Sequence, residues 1–143
     1  LDRALTQFPE LAGLRVYDER GELLYTSRAE RTPRPSIADR AYFIGLRDAA
    51  PTALVFSEVL DVTSIGRPGV IAARAVRDPQ GRFLGGVVAV LDLDQFRRLF
   101  QSLDIGPSGV LVIRRSDDYS GVVRWPELAR EINRPLPPGN PAA

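Results

Sequence analysis

Ser36-Ile37-Ala38-Asp39-Arg40-Ala41-Tyr42-Phe43-Ile44-Gly45-Leu46-Arg47-Asp48 is the clearest internal helix signal in the chain, and it lies between stretches patterned as strands. Tyr42, Leu46 and Ala49, with Phe43 and Ala50 beside them, repeat at the spacing of a helix with one buried face. Ser36 followed by Asp39 resembles a capping box, and Asp39 could instead be the N-cap with Arg40 in the first turn. Arg40 puts a permanent cation where the aromatic face begins. A guanidinium in that position can take a carboxylate through two parallel hydrogen bonds.

Outward from this helix the chain reads as short strands joined by turns. Before it, Leu1, Ala4, Leu5, Phe8 and Leu11 have helical spacing, with Pro9 marking the expected end. Leu14 to Asp18 and Glu22 to Ser27 form an expected hairpin around Asp18-Glu19-Arg20-Gly21. Residues 28–35, polar and with two prolines, should loop into the central helix. After it, Ala53 to Ser57 reads as a strand, and Thr63 to Gly69 as a loop. Val70 to Val76 and Arg82 to Leu91 make a second hairpin through Asp78-Pro79-Gln80-Gly81. The apolar run Leu84 to Leu91 suits a central strand covered on both faces. Asp94 is an expected cap for a helix that puts Phe96, Leu99, Phe100 and Leu103 on one face. Val110 to Ile113 and Val122 to Trp125 complete a third hairpin around Asp118-Tyr119-Ser120-Gly121, with Trp125 a packing residue. Pro135 to Ala143 has the composition of a disordered tail.

The expected fold is therefore α+β and PAS-like: a central antiparallel sheet of about five strands, an N-terminal helix, a loop-plus-helix insertion and a C-terminal helix. Residues 1–126 are the expected domain and 127–143 a partly disordered linker. Another small α+β sheet domain fits the same pattern.

Composition narrows the chemistry. The chain has 143 residues, no His and no Cys, and all nineteen of its basic residues are Arg. The usual zinc, copper and haem ligands are missing, as are Ser-His and Cys-His nucleophile pairs and any Schiff-base lysine. No Gly-rich phosphate loop is present. The expectation is a binding protein with no cofactor and no metal, rather than an enzyme. A net charge of +1 gives no reason to expect nucleic acid or an anionic membrane as partner. No stretch reaches the length of a membrane span. The start at Leu1, without Met, reads as the edge of an excised fragment.

Ala38-Asp39-Arg40-Ala41-Tyr42-Phe43, the strands over 70–91, and Gly85 through Phe96 resemble the Cache, or PDC, sensor domains of bacterial diguanylate cyclases, histidine kinases and chemoreceptors. Leu103 to Gly109 resembles the segment that follows their last sheet strand. The resemblance implies an extracytoplasmic, periplasmic module between membrane helices outside this chain, a homodimer formed through the N-terminal helix, and a small-molecule ligand. It implies that Arg40-Ala41-Tyr42-Phe43 matches an Arg-x-aromatic-aromatic motif that grips a ligand carboxylate. Members that bind amino acids also use an Asp near the end of the long strand. By spacing that position falls on Leu91, with Asp92 one residue later on the opposite face. The implied ligand is thus an organic carboxylate without an amine.

The candidate ligand-binding residues are Arg40, Tyr42, Phe43, Tyr17, Phe56, Ser57 and Arg74. Each has a plainer reading. Arg40 could pair with Asp39, Asp48 or Glu58, the aromatics could be core, and Arg74 could reach solvent. The whole domain could also be a ligand-free dimerisation module, or a cytoplasmic PAS domain.

Overall fold

A computed structural model describes residues 7–8, 11–27 and 36–136. The chain divides into two compact units, Leu1–Asp92 and Leu93–Ala143.

The first unit is built on an antiparallel sheet. Its strands are β1 (Leu11–Asp18), β2 (Leu23–Thr26), β3 (Val55–Phe56), β4 (Leu60–Val62), β5 (Arg67–Arg77) and β6 (Phe83–Asp92). The order is β2-β1-β6-β5-β3, and β4 pairs with the early part of β5. Helix α1 (Ala41–Asp48) lies between β2 and β3 in the chain. The five-strand path and the inserted helix match the expected architecture. Most of the stripe Leu1 to Leu11 lies outside the described residues. Leu11, expected to be helical, instead opens β1 beside Leu91.

Two of the Asp-x-x-Gly turns form in the same way. Asp18 accepts from the amides of Arg20 and Glu22, and Asp78 from those of Gln80 and Arg82. Gly21 and Gly81 take the left-handed conformations, φ 82° and 84°, that these turns need. The loop expected over 63–69 is shorter: Thr63 to Gly66 turn, while Arg67 to Gly69 already pair with β4.

The core sits on one face of the sheet. Val88 and Val90 of β6, Ile71 and Ala73 of β5 and Tyr17 of β1 are buried there beneath Phe43 and Leu46 of α1. Only that face of β6 is fully covered. Val87, Ala89 and Leu91 on its other side are half-buried and Leu84 is exposed, so the expected burial on both faces is not met. Contact between α1 and β6 is close, and a side chain at Gly86 would make Leu46 shift. A Cβ at Gly86 would stand 2.8 Å from Leu46 Cδ1.

Helix α1 begins four residues after the start a Ser36 cap would set and one after the start an Asp39 cap would set. Arg40, not Ser36 or Asp39, is the N-cap, and it makes no side-chain capping bond. The cause is tertiary. Ile37 is buried and its amide donates to Gly21 O, while Ser36 Oγ donates to the same carbonyl and accepts from Ala38 N. Residues 36–38 are thereby tied to the β1–β2 turn before the helix can start.

In the second unit, helix α2 (Leu93–Ser102) is followed by a two-stranded sheet of β7 (Leu111–Arg114) and β8 (Gly121–Trp125). Asp94 lies inside the first turn of α2 and pairs with Arg97 at 2.6 Å instead of capping. The expected four-residue apolar face is split. Phe100 is buried, Phe96 half-buried, and Leu99 and Leu103 are exposed. After β8, Ala129–Glu131 form a 3-10 turn whose Glu131 receives Arg124 and Arg114, and Ile132 bridges Gly121. Pro135 and Leu136 have no regular secondary structure, and the rest of the expected tail lies outside the described residues.

Candidate functional site

The candidate site forms where β1 meets the start of α1. Antiparallel pairing sets the facing of each β1 residue. Gly13 pairs with Val90, Arg15 with Val88 and Tyr17 with Gly86, and directly opposed residues share a face. Arg15 and Tyr17 therefore face the α1 side. Tyr42 comes from the first turn of α1 and packs against the core cluster containing Tyr17. Arg40 stands two residues earlier with a side chain 59% exposed, and among the described residues it meets the Asp39 carboxylate at 3.9 Å.

These groups act on one another electrostatically. Burial pushes the Tyr42 hydroxyl up to about 12, and the neighbouring Tyr17 phenol adds to the rise. The Arg40 and Arg15 guanidiniums pull it down, and Asp39 raises it again. Tyr42 thus keeps its proton across the physiological range and is available as a hydrogen-bond donor. The Arg40 guanidinium beside a protonated phenol suits holding an anion.

Helix α1 is held at both ends. At its start, Gly21 O accepts from Ile37, and a Cβ on Gly21 would stand 2.6 Å from Ala38 N. At its end, Arg77 Nη2 donates to the carbonyls of Leu46, Arg47 and Ala49, at 3.2, 2.6 and 3.2 Å. Those carbonyls lack partners within a helix, and a cation there complements the helix dipole. The Arg77 guanidinium also covers the Phe83 ring at 5.6 Å.

The seven candidates do not all gather at this place. Arg40, Tyr42 and Tyr17 come together. Phe43 lies beneath them, fully buried and edge-on to Phe83 at 5.8 Å, which makes it core. Phe56 pairs with Ala72, between the inward-facing Ile71 and Ala73, so it points to the other face and is exposed. Arg74 likewise lies between Ala73 and Ala75 and is exposed on that far face. Ser57 is buried, but its hydroxyl accepts from Ile71 N and donates to Glu58 O, so it serves the sheet edge. Sequence reasoning did not single out Arg15, which acts electrostatically on Tyr42 from β1. Its signal was present in the period of two that links it to Tyr17.

The facing argument about Asp92 is also corrected. Asp92 shares the face of Val88 and Val90, while Leu91 is on the other. Its carboxylate is nevertheless engaged. Arg67 grips both oxygens, at 3.1 and 2.5 Å, and Asp92 is only 3% exposed. Among the described residues no cluster of acidic side chains is arranged to hold a metal ion.

No model of a known protein family matches the chain, and no curated protein does. Solved structures do match. The extracellular domain of a protein assigned as histidine kinase rpHK1S-Z16 aligns over 95% of this chain with a TM-score of 0.78 and 24% identity. The fold is that of bacterial extracellular sensor domains. An extracellular ligand-binding receptor from Desulfohalobium retbaense aligns over 94% with a TM-score of 0.70 and 18% identity. The ligand-binding domain of the Pseudomonas aeruginosa amino acid chemoreceptor PctC, solved with GABA, aligns over 94% at 0.62 and 17%. This chain spans 55%, 24% and 59% of those three structures. No helix among its described residues is long and apolar enough to cross a membrane.

Proposed function

We propose that this chain is the ligand-binding sensor domain of a bacterial membrane receptor, facing outward from the cytoplasm, and that it takes a small organic carboxylate through Arg40. The observation that carries the reading is the placement of Arg40 at the start of α1. A cation there opposes the positive end of the helix dipole and makes no capping bond, so its position is poorly explained by helix stability. Opposite it stand a protonated Tyr42 and a buried Tyr17, a small set of polar groups on an apolar wall. The engagement of Asp92 by Arg67 favours a ligand without an ammonium group.

In this reading the domain binds without converting its ligand. Residues 1–126 form the sensor, and the chain before β1 its homodimer contact. The structural neighbours PctC with GABA and the Campylobacter jejuni chemoreceptor Tlp3 with L-valine support the carboxylate of this reading, and their ligands' amines set them apart from the ligand proposed here.

The test is thermal unfolding of the wild type and Arg40→Ala against a panel of carboxylates, amines and sugars. A ligand that binds only the folded state raises the midpoint. A carboxylate-specific rise that disappears in Arg40→Ala is expected. An equal rise in both proteins would remove Arg40 from the site, and no rise with any carboxylate would favour a ligand-free structural module.

A further inference from the structure

We propose that the outer edge of β7 is a contact between copies of this chain, two β7 strands pairing antiparallel across a two-fold axis to make one four-stranded sheet. This contact is separate from the Arg40 site and from the homodimer contact proposed for the chain before β1. In the second unit β7 pairs only with β8. The far edge of β8 is closed: Asn133 N donates to Gly121 O, Gly121 N donates to Arg134 O, and Ile132 bridges Gly121. The far edge of β7 has no such cover among the described residues. Natural sheets blunt an open edge with charge, proline or a bulge. Val110-Leu111-Val112-Ile113 has no charge and no proline, and the bulge of β7 comes only after Ile113. Val110 is 54% exposed and Val112 40%.

The chemistry of the edge selects its partner. A strand docking here has to match apolar side chains on both faces. Leu111 and Ile113 share a face with Trp125 and the buried Val123, while Val110 and Val112 lie on the face of Arg124. A second β7 meets that requirement. Two copies keep their faces aligned only in registers centred on a residue, and those centred on Leu111 and on Val112 hold residues 110–113 together. In the first, Val110 opposes Val112 of the other copy and Leu111 opposes its own counterpart. In the second, Leu111 opposes Ile113 and Val112 opposes its counterpart. Arg114 then faces Ser108 or Val110, never another cation. Its charge is met within its own chain by Glu131 at 3.6 Å, and that of Arg115 by Asp117 and Asp118. The segment after β8 is a poor alternative, because Pro135, Pro137, Pro138 and Pro141 have no amides to give a ladder. Pairing of like strands is isologous and closes at two copies.

Sedimentation over a concentration series tests this. A short edge buries little area, so the wild type should pass from monomer to dimer at roughly 10 μM to 1 mM. Val110→Lys with Val112→Lys sets like charges opposite one another in either register and should weaken association about tenfold or more. Both positions are exposed, and an unchanged circular dichroism spectrum reports that the variant is folded. Amide exchange of the wild type reads the same contact without any substitution. Exchange over residues 110–113 should slow as concentration rises, while that of β8 stays constant. A wild type that is monomeric across the whole range overturns the proposal and leaves the edge to a strand from another source. A dimer whose β7 amides exchange no more slowly than the monomer's also overturns it, and returns the contact to the chain before β1.

Discussion

The two ends of α1 each carry an arginine, and the two are used in opposite ways. Arg77 reaches across from β5 to the C-terminal end, where three carbonyls accept from it and its charge suits the dipole. Arg40 stands at the N-terminal end, exposed, against the dipole, with the Asp39 carboxylate 3.9 Å away. One is consumed by the fold, and the other is presented. In a chain whose cations are all Arg, residue type does not separate structural from binding roles. The partner set does.

Mutations can break this contrast, and the largest effect should come from beneath both ends. Phe43→Ala removes a ring with no exposed surface and its contact with Phe83, which should destabilise the protein by about 3–5 kcal/mol in denaturant titrations. Ligand binding should weaken with it, because Tyr42 and Arg40 lose their support. Arg77→Ala strips the helix end of its donors and should cost about 1.5–3 kcal/mol. Arg40→Ala should leave stability within about 0.5 kcal/mol of wild type, or slightly raised, since it relieves an unfavourable dipole contact. A loss comparable to that of Arg77→Ala would make Arg40 structural and dissolve the contrast.

The smallest effect is spectroscopic. Absorbance titration should reveal one tyrosinate transition near pH 12 that is absent in Tyr42→Phe. Folded Tyr42 holds its proton more tightly than an unfolded tyrosine at about 10. Its contribution to stability is therefore complete below pH 10 and is lost as pH rises through 12. Arg40→Ala should move the transition higher still, because Arg40 favours the phenolate.

Much of the fold was legible because its signals are local. Asp18-x-x-Gly21 and Asp78-x-x-Gly81 encode their turns in one carboxylate and one left-handed glycine. The third copy carries the same letters and folds differently. Tyr119 takes the positive φ, and Gly121 is buried where a Cβ would stand 2.4 Å from Glu131 O. That difference comes from a segment ten residues downstream. The start of α1 was misread for a similar reason, since Ser36 is claimed by Gly21. At the site, Arg40, Tyr42 and Tyr17 were legible from a motif and an expected place on the sheet. Phe56 and Arg74 were not excluded because facing depends on register, which Ala72 and Ala73 set from a neighbouring strand. Arg15 was overlooked because Leu14 and Val16 offered a more obvious apolar alternation.

The double fastening of α1 has a thermodynamic consequence. Gly21 and Arg77 fix the helix during folding, so the ordering entropy of its backbone is already spent before any ligand arrives. Binding at Arg40, as proposed, would then still little more than one long side chain, at about 0.5–1.5 kcal/mol. A small acid offers few atoms with which to offset such costs. For a ligand of the proposed size, a helix start that does not have to be assembled on contact would lower the concentration needed for binding.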